Sequence, residues 1–109
     1  MIRIGTIELE NPFVLAPLAG ITDASTRSLA KEQGAALVYS EMISGKGLWY
    51  KDKNTERLLN IAEGEEPIFY QLFGSDPEIL AHAARELRPR RNAGIDINMG
   101  CPVPKVVKN

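Results

Sequence analysis

Four short apolar runs recur along the chain at a nearly constant interval. They occupy residues 13–16, 36–40, 68–72 and 94–98. The residues at or just past their carboxyl ends are Pro17, Glu41, Gln71 and Asn98, and successive positions lie 24, 30 and 27 residues apart. This step fits one strand plus one crossover, so the runs predict a parallel sheet of repeated βα units. Four such units are about half of a (β/α)8 barrel, whose usual size is roughly 250 residues.

The segments between the runs carry helix signals. Residues 24–33 follow two competent N-cap residues and end before Gly34, which suits the position after a helix. Residues 78–87 follow Pro77, which is favoured at the first helical position. The stretch 44–60 is mixed in composition and predicts a short helix plus loop.

A small hairpin is predicted ahead of these units, because Ile2–Ile4 and Ile7–Leu9 alternate around a Gly-Thr turn. The expected fold class is therefore α/β: the N-terminal half of a (β/α)8 TIM barrel, with four parallel strands and crossover helices preceded by a β-hairpin. The sequence predicts no helix between the fourth run and Asn109. We expect residues 1–109 to be a partial barrel domain that is truncated after strand 4, with the C-terminal half-barrel absent.

Composition excludes several classes of protein. Hydrophobic residues make up 44% and charged residues 25%, which argues against disorder and against a membrane span. Residues 1–10 lack a basic region followed by an apolar one, so we expect a cytoplasmic protein. The single cysteine, Cys101, has no partner for a disulfide or a zinc site, and no metal is expected. The net charge of −1 argues against an electrostatic clamp for nucleic acid within this chain alone.

In parallel barrels the reacting groups cluster at the carboxyl ends of the strands. Residues 15–23 hold small side chains that let the backbone approach a planar ligand, although an ordinary βα turn has the same composition. Glu41 places a carboxylate at a strand end, where a solvated loop glutamate is the better interpretation from spacing alone. Gln71 offers an amide to a heterocycle edge, and a satisfied loop amide has the same signature.

The turn after the fourth run is the most specific of the four strand ends. It reads Asp-Ile-Asn-Met-Gly-Cys-Pro over residues 96–102. Gly100 permits a positive φ and Pro102 stiffens the following backbone, so the thiol of Cys101 can be held at a fixed angle. A lone cysteine is more often a small buried hydrophobe, and the residues alone leave both interpretations open with about even weight.

These four strand ends resemble those of the bacterial tRNA-dihydrouridine synthases in order and spacing, over essentially the whole chain. Residues 15–23 look like the first-strand motif that contacts the flavin, and residues 40–44 and 71–74 look like the second and third motifs. Residues 96–102 look like the active-site loop. Leu18 stands where a methionine is usual, and the similar volume of the two side chains should preserve packing against the flavin.

The resemblance implies a barrel that holds FMN at its mouth, is followed by an RNA-binding helical domain, and reduces uridine in tRNA to dihydrouridine with electrons from NADPH. Ala16, Pro17 and Leu18 match contacts to the isoalloxazine, and Gln71 matches a contact to its polar edge. Asn98 matches a residue that binds the uracil edge. The implied partner is tRNA, whose target base must leave the stack to reach the pocket.

The same resemblance gives Cys101 a role as the catalytic acid. Hydride from the reduced flavin adds to C6 of the uracil C5=C6 bond, and a proton must then reach C5. A thiol with the unperturbed pKa of about 8.5 is mostly protonated near pH 7, as an acid requires. The lysine and histidine that the family places near the flavin, the FMN-phosphate site and the helical domain would all lie beyond Asn109, so the 109-residue chain is expected to be inactive alone.

Two other functions are consistent with parts of the sequence. One is another FMN-dependent TIM-barrel oxidoreductase of the dihydroorotate dehydrogenase or old yellow enzyme type, which would reduce a small molecule. The other is a non-catalytic half-barrel that self-associates or pairs with a separate partner, since unpaired strand edges and an apolar inner face favour assembly.

Overall fold

The computed structural model describes residues 2–100, which form a hairpin, a four-stranded sheet and four helices. In chain order the elements are β1 (Ile2–Ile4), β2 (Ile7–Leu9), β3 (Val14–Leu15), α1 (Ala24–Glu32), β4 (Leu37–Ser44), α2 (Gly45–Trp49), α3 (Lys53–Leu58), β5 (Ile68–Phe73), α4 (Pro77–Leu87) and β6 (Gly94–Ile97). No helix within residues 2–100 combines the length and the apolar character needed to cross a membrane.

The sheet has the strand order β3-β4-β5-β6, and each neighbouring pair is parallel. The spatial order therefore equals the order along the chain, as in a barrel, whereas a doubly wound sheet reverses its direction at a switch point. The antiparallel β1–β2 pair forms the predicted hairpin. The predicted fold class, an α/β chain with the arrangement of an N-terminal half-barrel, is confirmed.

Local signals fix the ends of the two longer helices. The Asp23 side chain accepts a hydrogen bond from the Thr26 N–H at the start of α1, and this contact lowers the pKa of that carboxyl. Gly34 follows α1 with a φ of 105°, a conformation that favours glycine. Asp76 caps α4 ahead of its N-terminal proline.

The main core lies between the sheet and α4. Its buried members include Ile43, Tyr70 and Leu72 from the strands and Ala83 and Leu87 from the helix. These strand residues alternate with residues that face the other way, because successive side chains in a strand point to opposite faces. Ile43, Tyr70 and Leu72 therefore share the face of the sheet against which α4 packs.

The opposite face, called the inner face below, carries Tyr39 and Phe69, whose ring centroids lie 5.5 Å apart. Ile7 and Leu9 of the hairpin pack against this part of the sheet, where they form a cluster with Leu37 of β4. The hairpin thus covers the amino-terminal part of the inner face. The carboxyl-terminal part of that face carries the polar side chains of Gln71 and Asp96 together with Met42.

The second strand is longer than predicted. Residues 36–40 were expected to end a strand at Ser40, but β4 continues to Ser44 through a β-bulge. Two residues of β4, Ser40 and Glu41, lie opposite Tyr70 alone, because Tyr39 pairs with Phe69 and Met42 pairs with Gln71. The inserted residue interrupts the alternation of side chains between the two faces. The apolar pattern in the sequence therefore ends before the strand does.

The first strand differs from its prediction in burial. A continuous apolar run such as residues 13–16 is typical of a strand buried on both faces, whereas β3 spans two residues and Val14 is 46% exposed. Within residues 2–100, β3 pairs with β4 only, so it is an edge strand. A continuous apolar run does not distinguish an edge strand from a central one.

Candidate functional site

The third and fourth strand ends meet through two amide side chains. Gln71 lies in β5 and Asn98 directly follows β6, whose register with β5 pairs Gln71 with Asp96. The Asn98 side-chain N–H donates to Oε1 of Gln71 at 3.2 Å. The Asn98 backbone N–H donates to the Leu72 carbonyl at 2.8 Å, which extends the ladder by one residue. The structure therefore brings together the predicted polar contacts to cofactor and substrate.

Asp96 fixes the orientation of both amides. Its carboxylate accepts from Nε2 of Gln71 at 2.6 Å. An ionised carboxylate only accepts hydrogen bonds, so the Gln71 amide must turn its NH2 toward Asp96 and its oxygen toward Asn98. Asn98 in turn accepts from the Gly100 backbone N–H through Oδ1, at 3.0 Å. A chain of hydrogen bonds thus runs from a carboxylate to the loop that precedes Cys101.

The inner face also carries Tyr39, whose hydroxyl interacts electrostatically with the Asp96 carboxylate. Burial, together with the negative charge of Asp96, raises the pKa of Tyr39 above its ordinary value of 10. The Tyr39 hydroxyl therefore stays protonated at neutral pH. It is available as a hydrogen-bond donor on the inner face.

The β4 bulge supports the site from the other side. Ser40 is fully buried, and its hydroxyl accepts from the Gln71 backbone N–H at 3.0 Å. Past the bulge, the Met42 sulfur accepts from the Asn98 amide at 3.1 Å. The irregular strand thus places one side chain behind Gln71 and another beside Asn98.

The first strand end forms a tight loop over residues 16–22. Thr22 closes it, because its hydroxyl accepts from the Leu18 N–H at 2.9 Å and donates to the Leu18 carbonyl at 3.1 Å. Gly20 has a φ of 76° and donates its N–H to the Glu41 carboxylate at 2.6 Å. The interpretation of Glu41 as a solvated loop residue is therefore wrong: it ties this loop to β4.

A buried ion pair holds the same loop from behind. The Arg27 and Glu65 side chains are 2% and 0% exposed and form a salt bridge between α1 and the segment before β5. Arg27 also donates to the Thr22 carbonyl at 2.5 Å and to the Asn60 carbonyl at 2.9 Å. The second oxygen of Glu65 accepts from the Ala62 N–H. Every charged group of the pair is thus satisfied by hydrogen bonds.

The described strand ends present two kinds of surface to a ligand. Ala16 is exposed and the Leu18 side chain is 53% exposed, which leaves apolar surface at the end of β3, with Pro17 between them half-buried. Asn98, directly after β6, supplies an amide group, and so does the largely buried Gln71, two residues before the end of β5. Apolar surface beside amide groups suits a flat heterocycle with a polar edge, so the residues present fit a flavin ring.

Some residues of the site were not predicted from the sequence, and others lie outside the described residues. Asp96 was available as a signal, since it is the one polar residue between two isoleucines in its strand. Arg27 and Glu65 gave no signal, because they are 38 residues apart and each looks like an ordinary surface charge. Cys101 and Pro102 lie outside the described residues.

Comparisons with known proteins point to a family. The family model for dihydrouridine synthases matches residues 14–109. The tRNA-dihydrouridine synthase B of Shewanella oneidensis is 44% identical over 108 residues, which cover 97% of this chain and 33% of that protein. Its counterpart in Escherichia coli K12 is 45% identical over 106 residues, covering 95% of this chain and 32% of that protein.

A more distant relative agrees. The probable tRNA-dihydrouridine synthase of Treponema pallidum is 37% identical over 108 residues, which cover 98% of this chain and 32% of that protein. The chain thus spans about a third of the length of the curated relatives that it matches. With a family model that covers most of its residues and relatives that match nearly all of it, the chain belongs to the dihydrouridine synthase family.

Proposed function

We propose that this chain supplies half of the barrel of a tRNA-dihydrouridine synthase, which reduces the C5=C6 bond of uridine in tRNA with FMN and NADPH. The observation that carries the proposal is the hydrogen bond between Gln71 and Asn98 near the carboxyl ends of neighbouring strands. It puts a proposed cofactor contact beside a proposed substrate contact, as hydride transfer between two stacked rings requires.

FMN, when bound, supplies the hydride for the uracil ring. Ala16, Pro17 and Leu18 would hold one face of its ring system, and Gln71 would contact the polar edge. Glu41 supports this arrangement indirectly, because its hydrogen bond to Gly20 keeps the loop that carries Leu18 against β4.

Asn98 is proposed to bind the edge of the flipped uracil. Its amide orientation follows from Asp96 through Gln71, so the donor and acceptor pattern offered to the base is set before the base arrives. Cys101, three residues further along, is proposed to deliver a proton to C5 of the base. With the usual thiol pKa of about 8.5, it is mostly protonated at pH 7.

We further propose that segments outside these 109 residues complete the barrel and supply the RNA-binding helical domain. The relatives are about three times as long as the part that this chain matches. On this proposal the isolated chain binds FMN weakly or not at all and does not turn over tRNA.

A chimera tests the proposed function. This chain replaces the matching third of the Shewanella oneidensis protein, and the purified product is desalted after incubation with FMN. We expect the oxidised-flavin absorption bands to remain with the chimera. A well-folded chimera without flavin contradicts the proposal. Oxidation of its reduced flavin by orotate or a free enone, but not by tRNA, favours the small-molecule oxidoreductase instead.

Asp96→Asn in this chimera tests how the two amides are oriented. Asparagine keeps the shape of aspartate but can rotate its own amide, so Gln71 loses its fixed orientation. We expect FMN affinity to fall about tenfold, the scale of a lost hydrogen bond to a charged group. Flavin titration measures the affinity. Glu32→Gln, at an exposed position, is the control for the loss of one negative charge. Equal affinity of the Asp96→Asn and unmodified chimeras would show that Asp96 does not orient the site.

Self-association of the isolated chain is a separate expectation, and the exposed edge residues support it. Val14 lies at one edge of the sheet, and Ile97 and Met99 lie at or beyond the other; all three are exposed. Open edges with apolar side chains favour pairing with a second copy. We expect sedimentation velocity to detect a dimer or larger species. A folded, strictly monomeric chain contradicts this expectation.

A further inference from the structure

Residues 46–53, between β4 and β5, carry three lysines and one aspartate next to exposed aromatic rings. The residues concerned are Lys46, Trp49, Tyr50, Lys51 and Lys53, called the basic aromatic surface below. Among residues 2–100, the three lysines take part in none of the salt bridges. The net charge of the whole chain conceals this local excess.

In the described part of the chain, the neighbouring acids Asp52 and Glu56 form no salt bridge with these lysines. The Asp52 carboxylate caps α3, accepting from the Thr55 backbone N–H at 3.0 Å and from its hydroxyl at 3.1 Å. Glu56 pairs instead with Arg90, at 3.4 Å. The lysine charges therefore remain available to an anionic partner.

The two aromatic residues are placed differently. The Trp49 ring packs edge-on against His82 of α4, with centroids 4.8 Å apart, and so is anchored to the fold. The Tyr50 side chain is 74% exposed and makes no ring contact within the described part of the chain. An anchored ring followed by a free one is a platform for stacking rather than a piece of core.

The turn that presents Tyr50 is tightly built. A Cβ on Gly47 would lie 2.2 Å from the Thr55 hydroxyl, so α2 and α3 approach closely only because residue 47 is glycine. The Asp52 N–H donates to the Gly47 carbonyl at 2.8 Å. Lys51 has a φ of 56°, which is uncommon for a residue other than glycine. Such construction holds the surface in place before a partner binds.

The basic aromatic surface borders the candidate site. Ser44 is both the last residue of β4 and the N-cap of α2, so the segment starts at the carboxyl end of the sheet. A pocket of about 350 Å³ is lined by Met42 together with Asp52 and Asn54, which are the chain neighbours of Lys53. The sulfur of Met42 also accepts from Asn98. A polymer that delivers one base to Asn98 therefore passes near this surface.

We propose that the basic aromatic surface is an RNA-binding site, where the lysines contact phosphates of the tRNA and Tyr50 stacks on an unpaired base near the target uridine. The inference rests on the proposed function, which requires a flipped base at Asn98. Lysines beside an exposed ring are the combination that binds single-stranded RNA, through charge and through sequence-tolerant stacking.

The test measures binding of an unmodified tRNA transcript to the 109-residue chain over a range of salt concentrations. Lys51→Asn combined with Lys53→Gln should weaken binding about tenfold at low salt and reduce the slope of log affinity against log salt by about 1.5. Asparagine at position 51 tolerates the positive φ. Tyr50→Ala should weaken binding about tenfold with the slope unchanged, since it removes stacking but no charge.

Arg85→Gln combined with Arg88→Gln is the matched control. It also removes two exposed charges, but near the end of α4, which lies toward the amino end of β6. Binding should change by less than about twofold. Equal losses in both double variants would mean that only net charge matters, and this result overturns the proposal. So does an absence of tRNA binding by the unmodified chain, or binding to phosphatidylglycerol vesicles in preference to tRNA.

The chimera separates this inference from the function on which it rests. Dihydrouridine formation with an unchanged KM for tRNA in Lys51→Asn/Lys53→Gln and in Tyr50→Ala would overturn the RNA-binding site and leave the proposed function standing. Surface-dependent tRNA binding by the chain, with no dihydrouridine formed by the chimera, would contradict the proposed function alone.

Discussion

Glu65→Ala is expected to lower the free energy of unfolding by about 3–5 kcal/mol, which is much of the stability of a small domain. The change leaves the Arg27 guanidinium buried without its counter-charge. It also removes the acceptor of the Ala62 N–H. Because Arg27 holds the Thr22 carbonyl, the loop that carries Leu18 loses support as well. Urea unfolding, monitored by circular dichroism, measures the loss of unfolding free energy.

Two further variants make the cause of that loss visible. Glu8→Ala breaks an ion pair with Arg3 in which both side chains are more than half exposed, and it should cost less than about 1 kcal/mol. Arg27→Met combined with Glu65→Leu removes both buried charges, so it should recover part of the stability lost in Glu65→Ala. Equal losses for Glu8→Ala and Glu65→Ala would contradict the account of the buried pair.

Cys101→Ala in the chimera is expected to lower the rate of dihydrouridine formation about 100- to 10,000-fold, the usual contribution of a positioned general acid. Alanine removes the proton that the proposal assigns to C5 of the uracil. Mass spectrometry of the tRNA after single turnover measures the rate.

The control for Cys101→Ala is the half-reaction that needs no proton at C5. Reduction of the bound flavin by NADPH should proceed at an unchanged rate. The loss of the visible absorption of the flavin measures this rate. A loss of less than about tenfold in dihydrouridine formation would remove Cys101 from the role of acid. A parallel loss of flavin reduction would indicate damage to the flavin site instead.

The periodic elements could be predicted from the sequence because their signals are local. The hairpin, α1, α4 and β5 follow from alternation, caps and a proline within a few residues of each boundary. The β4 bulge could not, since an extra residue in one strand shows only against the register of its neighbour. The exposure of Val14 likewise depends on what pairs with β3, which no local pattern encodes.

The candidate site divides in the same way. Gln71 and Asn98 were candidates because both stand near strand ends, where parallel strands bring side chains together, and the family resemblance gave them their roles. Arg27 and Glu65 were missed because a buried ion pair has the same composition as two surface charges, and its members are 38 residues apart. Glu41 was misinterpreted for a related reason: its partner is a backbone N–H, which the side-chain pattern does not reveal.

The most direct test of the proposed function is dihydrouridine formation by the chimera supplied with FMN, NADPH and unmodified tRNA. If strands β3 to β6 of this chain provide a working half of the catalytic barrel, the chimera will convert uridine in tRNA to dihydrouridine and the isolated chain will not. A folded, flavin-containing chimera that oxidises NADPH but leaves every uridine intact would contradict the proposal that this half-barrel presents uridine to the flavin.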